Sequence, residues 1–370
     1  ALLSEGLFLS DQLAAEFERA AGVAVTSRLF LELPKNLLCL ARVHVGAPGE
    51  KAGSRAELVA TSSGWNVRRE KAETGVTVRP PIESALAGRV LRIGDYVLCD
   101  LSRGSFGAAL RAHYGMPAEH AEAAPHTADP LLDALETVCR KRTIAAVHLL
   151  AYDDPRLPDR ESPLSRFAPL FEAIHKNFAT AVSIETWPPE GVGVLEQAYA
   201  AGLDLLTIPS IAHAGKRAAA AVPERENLST QRYELAFEAA GEVFEGGAVK
   251  SPLLSSAQAD ESLSRDAKWL AKKGAVPLLW VKPGTSWNEA AALHRELALA
   301  LEGSGLNFSR VVDSCLQIPP SELKYFHPKQ KTLVGAMGSV AQTGLGRAAQ
   351  RNLSALRRHL RVRGPSGEGH

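Results

Sequence analysis

From residue 94 onward the chain alternates short apolar, β-rich runs with helical stretches, six times in succession. That alternation constrains the fold most, because strand, helix and strand in sequence is the repeat of a parallel sheet with crossover helices. The strands read as 94–101, 143–152, 180–186, 203–210, 248–256 and 275–283. They are near-continuous apolar segments, the pattern of strands covered on both faces. Between them, Leu164, Phe167, Leu170, Phe171, Ile174 and Phe178 recur with the helical period. Gly202 and Gly274 stand where helices should close in a left-handed C-cap. The expectation is an α/β chain with a partial (βα)6 TIM-like barrel over residues 94–339.

Residues 1–93 read differently. The segments LFLELPKNLLCLARVHVG and RAELVATSSGWNVRRE alternate like antiparallel strands, with PGEKAGS between them as a turn, so this is a small β-rich N-terminal module. The stretch 340–370 is Arg-rich and ends in Gly and Ser, which reads as a basic helical tail with a flexible end. No aromatics interleave its arginines, so it lacks the stacking platform of a nucleic-acid binder.

Composition narrows the function classes. The formal charge of +1 gives no global field to attract nucleic acid or an anionic membrane. No run approaches the roughly 18 to 20 apolar residues of a membrane span. The start, ALLSEGLFLSDQLAAEF, carries acids where a signal peptide carries Lys or Arg, so the chain reads as cytoplasmic. Cys39, Cys99, Cys139 and Cys315 are far apart, which excludes a zinc ribbon, a CxxC redox motif and a disulfide framework. There is no GxSxG, no P-loop and no GxGxxG after a strand.

Several residues could carry chemistry. Asp153, Asp154 and Glu185 fall at strand ends, where a barrel keeps its reactive groups, although such carboxylates also cap helices. Arg103, Gly104, Ser105 and Gly107 could form a backbone nest for an anion or simply a tight turn. His113, His120 and His126, with Glu119 and Glu122 among them, are competent metal ligands by type, but their spacing matches no compact metal motif. His148 and His175 read as packed histidines, and the five tryptophans as packing residues.

Taken in order, these pieces resemble the radical SAM enzymes of the biotin synthase and hydrogenase-maturase type. The second strand ends in AYDDP, the third in SIETWPPEG followed by LEQAYAAGLDLL, and the stretch VPERENLSTQRYELAFEAAGEVFEGGAVKSPLL leads into the fifth. The resemblance implies that Asp153, Asp154 and Pro155 form the turn that holds the amino group of S-adenosylmethionine. It also implies that Glu185 points into the barrel mouth and that Ser255 and Ser256 stand at the family's Gly-rich contact to that ligand.

The family's CxxxCxxC loop is replaced here by SRGSFGAALRAHYG, which includes Ser102, Arg103, Gly104, Ser105 and Gly107 and contains no cysteine. No [4Fe–4S] cluster is therefore expected. The resemblance without the cluster implies a non-catalytic partner, scaffold or regulator, with a protein partner such as an active radical SAM enzyme. The alternative is an enzyme of another class that uses the barrel mouth for S-adenosylmethionine or another small molecule, by acid–base or metal-assisted chemistry. A third reading, an aldolase-like barrel, would require eight strands.

Overall fold

The computed structural model of the chain describes residues 7–9, 11–21, 28–33, 37–45, 56–61, 64–69, 72–79, 83–86, 89–93, 96–102, 128–139, 144, 146–152, 162–178, 180–209, 229–254, 261–280 and 287–306. The strands form two sheets.

The N-terminal strands are β1 (Leu7–Leu9), β2 (Arg28–Leu33), β3 (Leu37–Val45), β4 (Ala56–Thr61), β5 (Gly64–Arg69) and β6 (Ala72–Arg79), with helix α1 (Asp11–Ala21) after β1. They close into a barrel in the order β1-β3-β2-β6-β5-β4. The two segments with alternating pattern are the hairpins β2–β3 and β4–β5. The short β1 completes the ring by pairing in parallel with both β3 and β4, and closure leaves no open edge. Leu9, Leu58, Val67 and Val78 are buried there. The PGEKAGS turn lies outside the described residues.

The second sheet has eight strands in strictly sequential order, from β7 (Glu83–Ala85) and β8 (Val90–Ile93) through β9 (Tyr96–Asp100), β10 (Ala146–Leu150), β11 (Ala181–Glu185), β12 (Leu205–Thr207) and β13 (Val249–Leu254) to β14 (Val276–Trp280). The six from β9 to β14 are mutually parallel and match the six strands read from the sequence. The β7–β8 hairpin, grouped by sequence with the N-terminal module, instead pairs antiparallel with β9. Its Val90 and Leu91 are buried in this second sheet, so sheet membership changes before residue 83 rather than at 93. Among the described residues the sheet is open, with β7 and β14 at its edges.

Helices α2 (Ala128–Cys139), α3 (Pro163–Arg166), α4 (Ala168–Phe178), α5 (Val192–Ala200), α6 (Thr230–Val243), α7 (Glu261–Lys272) and α8 (Trp287–Leu301) connect the parallel strands and follow β14. The single apolar period over 164–178 is split between α3 and α4 at Phe167. Ser162 caps α3 by accepting from the Leu164 amide, with Pro163 at the first helical position. Gly202 follows α5 at φ +112°, and a Cβ there would lie 3.0 Å from the Cβ of His175, so only glycine fits the turn into β12.

A strand presents alternate residues to opposite faces. One parity of the parallel strands, including Val97, Cys99, Val147, Leu149, Val182 and Ile184, belongs to a single apolar core. The helix residues Leu131, Leu135, Phe171, Ile174, Leu195 and Phe237 fill the other side of that core. Among the described residues, helices therefore cover one face of the sheet. The opposite parity is where the polar residues fall.

Candidate functional site

Register places Asp100, Leu150, Glu185, Thr207 and Lys250 in one row across β9 to β13. Neighbours in register in a parallel sheet share a face, and this is the face away from the helix-packed core. Two residues before Leu150 and Glu185 on the same face stand His148 and Ser183, themselves in register. Two residues beyond Asp100 and Leu150 come Ser102 and Tyr152. All of these polar groups are buried: Asp100 and Ser183 at 0% exposure, Lys250 at 1%, Glu185 and Ser102 at 2% and His148 at 7%.

Glu185 is the centre of the constellation. The Tyr152 hydroxyl donates to its Oε1 at 2.6 Å, a length typical of an O–H donor on a carboxylate. His148 Nε2 lies 3.5 Å from its Oε2. The other ring nitrogen, Nδ1, lies 2.9 Å from Ser183 Oγ, which fixes the plane of the imidazole. When the Ser183 hydroxyl donates to Nδ1, the ring proton sits on Nε2 and faces the carboxylate. A carboxylate, a phenol and an imidazole thus share one buried point at the end of β11, a set able to accept, pass and return a proton.

The surrounding backbone is held by its own polar contacts. Ser102 Oγ donates to the Leu150 carbonyl at 3.3 Å and accepts from the Tyr152 amide at 3.2 Å, tying the end of β9 to the end of β10. Asp100 accepts from the Ser102 amide at 3.0 Å and lies 3.4 Å from the Arg89 guanidinium. Trp187, just beyond β11, packs edge-on against Tyr152 with ring centroids 4.8 Å apart. That short loop is clamped from α6, where Arg232 donates to the Pro188 carbonyl at 3.1 Å and pairs with Glu190 at 2.6 Å.

Glu185 is the last residue of β11, and Ser102 ties the ends of β9 and β10. Asp153, Asp154, Pro155, Arg103, Gly104, Ser105, Gly107, Ser255, Ser256, His113, His120, His126 and the tail 340–370 lie outside the described residues. Sequence reasoning missed Tyr152 and Lys250, and it treated His148 as packing. The signal was present: Asp100 and Ser102, His148 and Tyr152, and Ser183 and Glu185 are polar residues spaced by multiples of the strand period within otherwise apolar runs.

Cys99 points the other way, into the helix-packed core. Burial chiefly, with Cys139 and Asp100 nearby, pushes its thiol far above the usual range. Among the described residues no group of three or more His, Cys, Asp or Glu side chains is arranged to hold a metal. No described helix is long and apolar enough to cross a membrane.

The fold and site together define a mixed α/β protein with a mostly parallel, sequentially ordered sheet and a buried polar row at its strand ends. No family model and no curated protein matches the chain. Among solved structures it is similar to the 7,8-dihydropteroate synthase of Vibrio fischeri, at 15% identity and a TM-score of 0.25, over 62% of this chain and 88% of that one.

Proposed function

We propose that this chain is a radical-SAM-like partial barrel without the cluster, and that its strand ends are a small-molecule site in which Glu185, Tyr152 and His148 handle protons. The observation that carries this reading is the carboxylate of Glu185 held by Tyr152 and faced by His148 on the sheet face away from the apolar core. A structural role alone would be served by apolar side chains, which fill a sheet interior without the cost of dehydrating a carboxylate. Among the described residues, six parallel strands in sequential order and a separate N-terminal β-barrel support the radical-SAM-like outline.

The residues present do not fit an iron–sulfur cluster. The loop after β9 has no thiol, and Cys99, the cysteine nearest to it in sequence, faces the apolar core. No step of the chemistry is therefore assigned to a cluster. A carboxylate at a strand end suits a cationic or hydroxyl-bearing ligand, and the ammonium group of S-adenosylmethionine is one such partner.

The cysteine-free loop favours a second reading, in which the barrel is a non-catalytic partner of an active radical SAM enzyme. Calorimetric titration of the full chain with S-adenosylmethionine, beside Glu185→Gln, separates the two. Saturable binding weakened about tenfold or more in the variant, as loss of a charged contact would give, supports the ligand site. No binding by a folded chain overturns S-adenosylmethionine as its ligand and leaves the partner reading.

A further inference from the structure

Lys250 is 1% exposed and is among the largest fully buried side chains. It stands in register with Thr207, which stands in register with Glu185, so the two ionisable groups share a row and a face. Two strand spacings put their backbones about 10 Å apart on that face. Pro252 and Leu278, in register with each other one step along the same face, are buried beside it. An apolar residue would fill this place without taking an amine out of water.

We infer that Lys250 is an amine nucleophile that forms a Schiff base with an aldehyde or ketone substrate. This inference rests on the strand ends being a small-molecule site. Only the unprotonated amine attacks a carbonyl, and removal from water is a standard means of making that form accessible. Nζ bonds to the carbonyl carbon, one amine proton passes to Glu185, and the Tyr152 phenol protonates the carbonyl oxygen, giving a carbinolamine. Glu185 returns its proton to Tyr152. A second proton delivered to the carbinolamine oxygen breaks the C–O bond and releases water, while the nitrogen lone pair forms the C=N bond and the remaining N–H proton is given back. Amine and carbonyl become imine and water, with no oxidant or reductant required.

The test is reductive trapping on the native full chain with limiting formaldehyde and cyanoborohydride near neutral pH, read by peptide mass mapping. The expected result is methylation of Lys250 about tenfold ahead of the exposed Lys268 and Lys272, slowed in Glu185→Gln. Modification of Lys268 and Lys272 with Lys250 untouched overturns the inference, and it does so without needing a Lys250 variant that folds. If S-adenosylmethionine binds in a Glu185-dependent way while Lys250 resists trapping, the site stands and the nucleophile falls. If Lys250 is trapped equally in native chain and Glu185→Gln, the assignment of Glu185 as its proton acceptor falls.

Discussion

The Tyr152 hydroxyl donates to Glu185 Oε1 across the β10–β11 pair at 2.6 Å, joining the ends of two adjacent parallel strands through a buried carboxylate. Each partner is supported in turn, Tyr152 by the ring of Trp187 and Glu185 by His148. The contact is thus a tie between strands at the centre of the buried polar row.

Tyr152→Phe keeps the ring against Trp187 and removes the hydroxyl alone. We expect a loss of about 2 kcal/mol in denaturant unfolding, the range for a hydrogen bond to a charged group. A loss near zero would mean that Glu185 does not depend on this donor.

Asp100 and Arg89 form a buried pair at 3.4 Å, with side chains 0% and 7% exposed. Removing the carboxylate takes its charged partner from a buried guanidinium, so Asp100→Ala should cost about 3–5 kcal/mol. Asp100→Asn preserves the contact to the Ser102 amide and should cost less. Equal losses in the two variants would show that the charge is not what matters.

Gly202→Ala places a Cβ 3.0 Å from that of His175 and 3.3 Å from the Phe171 carbonyl, in a backbone at φ +112°. The expected destabilisation is about 1–3 kcal/mol. Gly193, in α5, has nothing within 4 Å of an added Cβ, so Gly193→Ala should be neutral or stabilising by up to about 1 kcal/mol. Matching thermal melts for the two variants would contradict this account of the α5–β12 turn.

The Cys99 thiol, raised first by burial and then by Cys139 and Asp100, stays protonated at neutral and mildly alkaline pH. Because the thiolate is the nucleophile, native protein should leave Cys99 unalkylated by iodoacetamide at about pH 8, and denaturation should release it. Rapid native labelling of Cys99 would place it on an accessible surface and reopen its fitness as a ligand.

The order of strands and helices in the second sheet was legible because each element carries its own period. The apolar face of α4 and the glycine after α5 are local signals, and local physics decides them. The alternating strand pattern of 29–46 and 55–70 was legible for the same reason, but that each segment is a hairpin in itself was not.

Closure of the N-terminal barrel was not, since it depends on β1, three residues long, finding β3 and β4 across intervening chain. Nor was the allegiance of β7–β8, whose alternating pattern suits either sheet until β9 supplies a partner.

At the site, sequence alone determined that Glu185 would stand at a strand end, because the apolar run stops there at Pro188 and Pro189. Only tertiary structure decided that Tyr152, His148 and Lys250 share its face, since cross-strand register is set by pairing between segments dozens of residues apart. A one-residue slip in β9, β10 or β11 would turn its polar side chains into the helix-packed core, away from the hydrogen-bond and charge partners that they have on this face.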